Sequence, residues 1–174
     1  MQIIEPCCAK KHLLALREEL KKNETALFEG FGDMSLTELL FALLTRYSET
    51  EMLIAVPALP EQTAESIAHW MRKQWACQDG KGKLDVISNL TLITDLSVKK
   101  SPRASEWLKD NPFGERLTLR DVQQNDTAII LPDIALYGNI NLAYGGHFSA
   151  VATTSIKTIQ SLRSMYQRLA VKKS

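Results

Sequence analysis

The spacing of apolar residues predicts alternating helices and strands over the first two-thirds of the chain. Apolar residues that recur every three or four positions amid charged ones indicate amphipathic helices, whereas short continuous apolar runs indicate strands buried on both faces. By these criteria helices are predicted over 10–22, from Ser35 onward, over 61–77 and over 101–111, and strands over 52–56 and 90–96. Two glycines interrupt the period in residues 24–34 and predict a looser stretch there.

After Gly114 the pattern changes to strands in close succession, followed by a closing helix. The strands are predicted over 115–122, 126–131, 134–140 and 147–154, and the helix over 155–170. Alternating elements followed by a cluster of strands predict an α/β sandwich, with a mixed β-sheet flanked by helices. The length of 174 residues predicts one domain, with 1–34 as an N-terminal helical extension and 35–170 as the core.

The composition is that of an ordinary soluble globular protein. Hydrophobic residues make up 45% of the chain and charged residues 24%, and the longest apolar runs are much shorter than a membrane span. The formal net charge of +1 provides no overall attraction to nucleic acid or to a membrane surface. Residues 1–22 lack the pattern of a signal peptide, so the expected location is the cytoplasm.

Cysteines and glycines do not form a recognisable metal or cofactor site. Cys7, Cys8 and Cys77, even together with His12, do not supply four ligands at zinc-binding spacing, and they are predicted to be free thiols. Neither common phosphate-binding loop, G-x-G-x-x-G or G-x-x-x-x-G-K, is present. We therefore expect no metal and no cofactor.

A polar corner follows the strands predicted over 126–131 and 134–140. Its frame is Asp126-x-Ala128-x-x-x-x-Asp133, followed by Gly138-Asn139-x-Asn141. This frame resembles that of the phospholipase D superfamily, which has His-x-Lys-x-x-x-x-Asp followed by Gly-Ser-x-Asn. The order of elements is also similar from about residue 35 to residue 169, including a strand after the asparagine and a final amphipathic helix. The gap from aspartate to glycine is two residues shorter than is usual in the family.

The departures from this frame bear on activity. In the active family the histidine attacks phosphorus and the lysine holds phosphate oxygens, and these positions are Asp126 and Ala128 here. A carboxylate repels an anionic phosphodiester, and alanine offers no donor to offset that repulsion. Asp133, Gly138 and Asn141 match positions that orient the corner. The resemblance therefore implies a catalytically inactive phospholipase D-like domain, a pseudoenzyme that acts as a binding or assembly module.

Two other hypotheses remain open. One is a phosphodiesterase or nuclease with a rearranged active site, whose chemistry has moved to groups such as His147 with Asp133. The other is an unrelated α/β domain that carries Gly-Asn-x-Asn by coincidence. Asn139, Asn141 and His147 are candidate ligand-binding residues, although such asparagines often satisfy turn backbone and a single histidine lacks an orienting partner.

Candidate partners are nucleic acid and a second copy of the chain. Lys99, Lys100 and Arg103 cluster at a predicted helix N-terminus, where backbone N–H groups also favour anions. They are candidates for weak, sequence-independent contact with a nucleic-acid backbone, although three positive charges are more often a solvated face. The resemblance also implies a homodimer, because the family's site is built from two copies of the motif and this chain holds one.

Overall fold

A seven-stranded mixed sheet forms the centre of the fold in the computed structural model, which describes residues 7–31, 51–72, 74–76, 83–85, 87–139 and 147–171. The helices of the described residues are α1 (Cys7–Lys22), α2 (Glu61–Arg72), α3 (Pro102–Lys109) and α4 (Ile156–Val171). The strands are β1 (Thr25–Phe31), β2 (Glu51–Ala55), β3 (Gln74–Ala76), β4 (Lys83–Asp85), β5 (Asn89–Thr94), β6 (Leu117–Asp121), β7 (Thr127–Ile130), β8 (Ala135–Asn139) and β9 (His147–Thr153). The protein is α/β, as the sequence predicted.

The strand order in the main sheet is β1-β9-β8-β7-β2-β5-β6, and β3 and β4 form a separate pair. The strands β2, β5 and β6 run parallel to one another, and each of the other neighbouring pairs is antiparallel. Helices α2 and α3 lie between successive parallel strands, as parallel pairing requires. Among the antiparallel pairs, β7–β8 and β8–β9 are consecutive in the chain, whereas β2–β7 and β1–β9 join distant parts of it.

Helices cover both faces of the central strands. On one face, Ile54, Leu92 and Ile129 lie in a core cluster with residues of α1, α2 and α3. On the other face, Leu53, Ile93 and Ile130 pack in a second cluster with residues of α4. Because each strand is buried on both sides, its apolar residues are continuous rather than alternating. Burial of each such side chain contributes about 1.5–3 kcal/mol.

The N-terminal residues belong to the main sheet. Strand β1 pairs with β9 along its whole length, from Thr25 opposite Thr153 to Phe31 opposite His147. Leu16 of α1 lies in the larger core cluster. The looser stretch predicted over 24–34 is therefore wrong for residues 25–31. Pairing with β9 decides the conformation there, because strand formation depends on neighbouring strands more than on intrinsic preference.

The helix predicted over 61–77 is too long. Helix α2 ends at Arg72, and Gln74–Ala76 pairs with Lys83–Asp85 as a small hairpin. Apolar spacing does not separate these two outcomes over a few residues, because a short apolar segment fits a helix or a strand. The helix predicted from Ser35 lies outside the described residues.

Candidate functional site at the upper edge of the sheet

The polar corner lies at the end of the sheet where the parallel strands finish, which we call the upper edge. Thr94, the last residue of β5, is aligned with Asp121, the last residue of β6. At the same end, β7 begins and β8 finishes, with Thr127 opposite Gly138. Crevices at the carboxyl ends of parallel strands are the usual ligand sites of open α/β sheets. Asp126 precedes Thr127 and Asn139 follows Gly138, so both lie just beyond this pair on the same side. The fold therefore brings these two predicted residues close together.

Ala128, which the resemblance aligns with the lysine of the phospholipase D frame, is fully buried. It lies opposite Ala55 of β2 and Tyr137 of β8, and it belongs to the apolar cluster that contains Ile159 and Tyr166 of α4. A methyl group in this closed environment supplies no hydrogen-bond donor to a phosphate. The position is part of the core.

Asp126, which the resemblance aligns with the histidine of that frame, is exposed. The side chain of Tyr166 is buried, and this burial raises the pKa of its hydroxyl, with a smaller contribution in the same direction from the negative charge of Asp126. The corner therefore combines an exposed carboxylate with a buried neutral phenol. Neither group suits attack on an anionic diester at neutral pH.

Gly138 allows β8 to approach β9 closely. Its φ is +141°, and a Cβ atom at this position would lie 2.7 Å from the carbonyl oxygen of Ser149. Only glycine takes this conformation and contact without strain. Asn139 follows it, exposed and paired with Ser149, while Asn141 lies outside the described residues. The glycine of the Gly-Asn-x-Asn motif thus has a role in the backbone of this protein.

Asp133 and His147 lie at opposite ends of the sheet. Asp133 is exposed in the turn between β7 and β8, next to the lower pair formed by Ile130 and Ala135. His147 is the first residue of β9, six positions from Thr153, which lies opposite Ala135. Six residues of strand span about 20 Å. The hypothesis of a rearranged active site that uses His147 with Asp133 is therefore not supported by their placement.

Gln124 is a residue of this region that the sequence did not indicate. Its Nε2 donates a hydrogen bond of 3.0 Å to the carbonyl oxygen of Ile93, which also accepts one from the backbone N–H of Val56. Its Oε1 is buried and has no hydrogen-bond partner in the described part of the chain. A buried acceptor of this kind is normally satisfied by a water molecule or a ligand. A single glutamine in a connecting segment carries no sequence pattern that would reveal this.

Lys100 of the predicted basic cluster is in an ion pair. Its Nζ lies 3.1 Å from the carboxylate of Asp95, the residue that follows β5. Hydrogen bonds from the hydroxyl and the backbone N–H of Ser97, followed by Lys100, lower the pKa of Asp95 to about 2. The charge of Lys100 thus helps to hold the turn after β5.

Arg103 is shared among three carboxylates on α2 and α3. Its guanidinium lies 2.9 Å from Glu106, 3.1 Å from Glu65 and 3.8 Å from Glu61. These contacts raise its pKa further, chiefly through the hydrogen bond to Glu106. Four carboxylates, with Asp95 included, therefore lie within ion-pair distance of Lys100 or Arg103, while Lys99 has no such pair among the described residues. Two of the three cations that the sequence suggested for nucleic acid are therefore neutralised by neighbouring carboxylates.

Other features of the described residues carry less chemistry. No group of three or more histidine, cysteine or acidic residues within these ranges is arranged to hold a metal ion. None of the described helices is both long enough and apolar enough to span a membrane. A groove of about 620 Å³ follows the outer side of α4, and its lining residues include Lys157 and Arg168 but neither Asp126 nor Asn139.

Comparison with known proteins identifies a similar fold. No protein-family model matches the chain, and no curated protein matches it in sequence. Among solved structures it is similar to TrmBL2, an archaeal chromatin protein whose structure is described as showing a novel mode of DNA binding. The TM-score is 0.50, the sequence identity is 15%, and the match covers 92% of this chain and 58% of TrmBL2. At this identity the similarity concerns the fold alone.

Proposed function

We propose that this protein is a catalytically inactive phospholipase D-like domain that acts as a binding or assembly module in a nucleic-acid-associated protein. The observation that carries the proposal is the chemistry of the corner. An exposed carboxylate and a buried methyl group occupy the positions where the family has its nucleophile and its phosphate-binding cation. Gly138 matches the glycine of the family's motif, whereas the histidine and the lysine of that motif are replaced by Asp126 and Ala128.

The association with nucleic acid is suggested by TrmBL2, which is a chromatin protein that binds DNA. This chain spans 58% of the length of TrmBL2, so the DNA contacts of that protein need not belong to the shared part. Lys100 and Arg103 are engaged in ion pairs here. We therefore propose that this domain contributes assembly, as a homodimer, rather than the main DNA contacts.

The catalytic part of the proposal is tested by assaying hydrolysis of bis-p-nitrophenyl phosphate and of DNA at neutral pH, with and without EDTA. We expect no turnover above background. Loss of one acid or base group costs about 10²–10⁴-fold in rate, and here both the nucleophile and the cation are replaced. Cleavage that is abolished by Asn139→Ala or His147→Ala, but retained in Asp133→Asn, would show an active site at the upper edge and overturn the proposal.

A further inference from the structure

Strand β1 forms one edge of the sheet, and its outer side pairs with no other strand of the described residues. It is seven residues long, whereas edge strands are usually kept short or are protected by proline or lysine. The sequence of β1, TALFEGF, has neither of these residues and contains a single acidic one. Within the described residues, the outward-facing backbone N–H and C=O groups of this edge have no strand partner, and such an edge can accept a further strand.

An apolar row leads across the sheet to this edge. Tyr137 of β8, Val151 of β9 and Leu27 of β1 are opposite one another in register, so they share one face. Tyr137 and Val151 are partly buried, whereas Leu27 is 63% exposed. The face is the one that α4 covers, but the described members of the buried cluster under α4 on the sheet come from β2, β5, β7 and β8, and Leu27 is not among them. The row therefore ends in an exposed leucine beside an open strand edge.

We propose that a second copy of the chain pairs its own β1 with this edge, antiparallel, around a two-fold axis at Leu27. The proposal deepens the assembly role and rests on it. In this register Leu27 lies opposite Leu27 of the second copy, and Thr25 lies opposite Glu29. Opposed apolar residues stabilise an antiparallel pair, and no like charges face each other. The two apolar rows then join into one.

The charges favour this interface over the alternatives. An axis at Glu29 would set two acidic residues opposite each other, which is destabilising. An axis at the corner, the arrangement implied by the family resemblance, would bring together two exposed Asp126 carboxylates. Pairing at Leu27 avoids the Glu29 contact and the Asp126 contact. It also gives a two-fold dimer, which is the commonest symmetry of homo-oligomers. A different partner protein at this edge would leave the purified chain monomeric.

The first test measures molar mass by light scattering at micromolar concentration for the wild type, Leu27→Lys and Leu108→Lys. Leu108 is the matched control, because it is 58% exposed and lies on α3. We expect about 39 kDa, twice the 19.5 kDa chain, for the wild type and Leu108→Lys, and 19.5 kDa for Leu27→Lys. Circular dichroism confirms that each variant is folded.

The outcomes separate this inference from the assembly role itself. A dimer that survives Leu27→Lys overturns the β1 interface and leaves homodimer assembly standing. A monomeric wild type overturns both. A monomer produced equally by Leu108→Lys also overturns the assignment to β1, because the effect would then follow from added charge alone.

The second test fixes the register. In a background with Cys7, Cys8 and Cys77 changed to serine, Leu27→Cys should cross-link to itself with a short bismaleimide, since opposed Cβ atoms lie about 4.5–5.5 Å apart. Leu108→Cys should remain uncross-linked. Equal yields for the two variants would overturn the pairing at Leu27 even if the protein is a dimer.

Discussion

Gly138 adopts a φ of +141°, and the backbone of β9 lies where any other residue would carry its Cβ atom. We expect Gly138→Ala to lower the free energy of unfolding by about 2–4 kcal/mol, from the strained backbone and from the contact with the carbonyl oxygen of Ser149. The control is Gly114→Ala. Gly114 also has a positive φ, +57°, but a Cβ there would meet no atom within 4 Å. Gly114→Ala should lower the free energy of unfolding by only about 1 kcal/mol. Urea unfolding of both variants decides the matter, and equal losses would contradict the role assigned to Ser149.

Asp95 makes the stability of the protein depend on pH. Its pKa in the folded state is about 2, below the ordinary value of 3.8, so its hydrogen bonds and ion pair contribute fully above about pH 5 and are lost as the pH falls toward 2. We expect the stability difference between wild type and Asp95→Asn to be constant from pH 5 to 7 and to shrink between pH 4 and pH 2. Urea unfolding across this range is the measurement. An exposed control, Asp133→Asn, should match the wild type, and a difference that persists unchanged at pH 2 would refute the assignment.

At the scale of secondary-structure elements, Ser101 links the start of α3 to the end of β5 and to a segment 42 residues earlier in the chain. Its Oγ accepts a hydrogen bond of 2.9 Å from the N–H of Leu59, in the segment between β2 and α2, and lies 3.4 Å from the hydroxyl of Thr94 at the end of β5. All three residues are fully buried. The sequence predicted Ser101-Pro102 as a helix start, and α3 does begin there, but the hydroxyl does not cap the helix. The residue types Ser101-Pro102 indicated where the helix begins, whereas the hydrogen-bond partner of the Ser101 hydroxyl depends on the tertiary fold.

Removal of this hydroxyl should therefore be costly. Ser101→Ala leaves the buried N–H of Leu59 without its acceptor, and we expect the free energy of unfolding to fall by about 1–3 kcal/mol. Ser66→Ala is the control, because the hydroxyl of Ser66 bonds to the carbonyl of Gln62 on the exposed side of α2. That change should stay within about 0.5 kcal/mol. If urea unfolding gave similar losses of stability for Ser101→Ala and Ser66→Ala, the role assigned to Ser101 would be contradicted.

The elements differ in how far the sequence predicts them. The strands 52–56 and 90–96 are confirmed within two residues, because runs of apolar residues buried on both faces leave a clear signal. Strand β1 is missed because its pairing with β9 spans more than 100 residues of chain. The closing helix is confirmed, yet its apolar spacing overstates its burial. Ile159 and Tyr166 face the sheet, whereas Ile156 and Met165 are exposed.

At the scale of the whole molecule, the candidate site is only partly predictable. The resemblance indicated Asp126 and Asn139, and the sheet register places them side by side at the upper edge. The separation of Asp133 from His147 depends on strand direction, which residue spacing does not give. The neutralisation of Arg103 likewise depends on Glu61 and Glu65 of a different helix. The sequence motif therefore located the polar corner, whereas the sheet topology determines which charged residues lie near it.

The charge distribution of the whole molecule predicts weak binding to DNA by this domain. The net charge is +1, and Lys100 and Arg103 are in ion pairs, whereas Lys99 forms none with a described residue. We expect a dissociation constant above about 10 µM for a 25-base-pair duplex at 150 mM salt, without sequence preference. The slope of log K against log salt should be no steeper than about −2 to −3, since each phosphate contact contributes about −0.9. Fluorescence anisotropy measures both quantities.

Lys99→Ala should reduce the slope by about one unit, Lys100→Ala by less, and the control Lys157→Ala on α4 not at all. Submicromolar binding that persists at several hundred millimolar salt, or that prefers one sequence, would show a DNA interface that these residues do not explain.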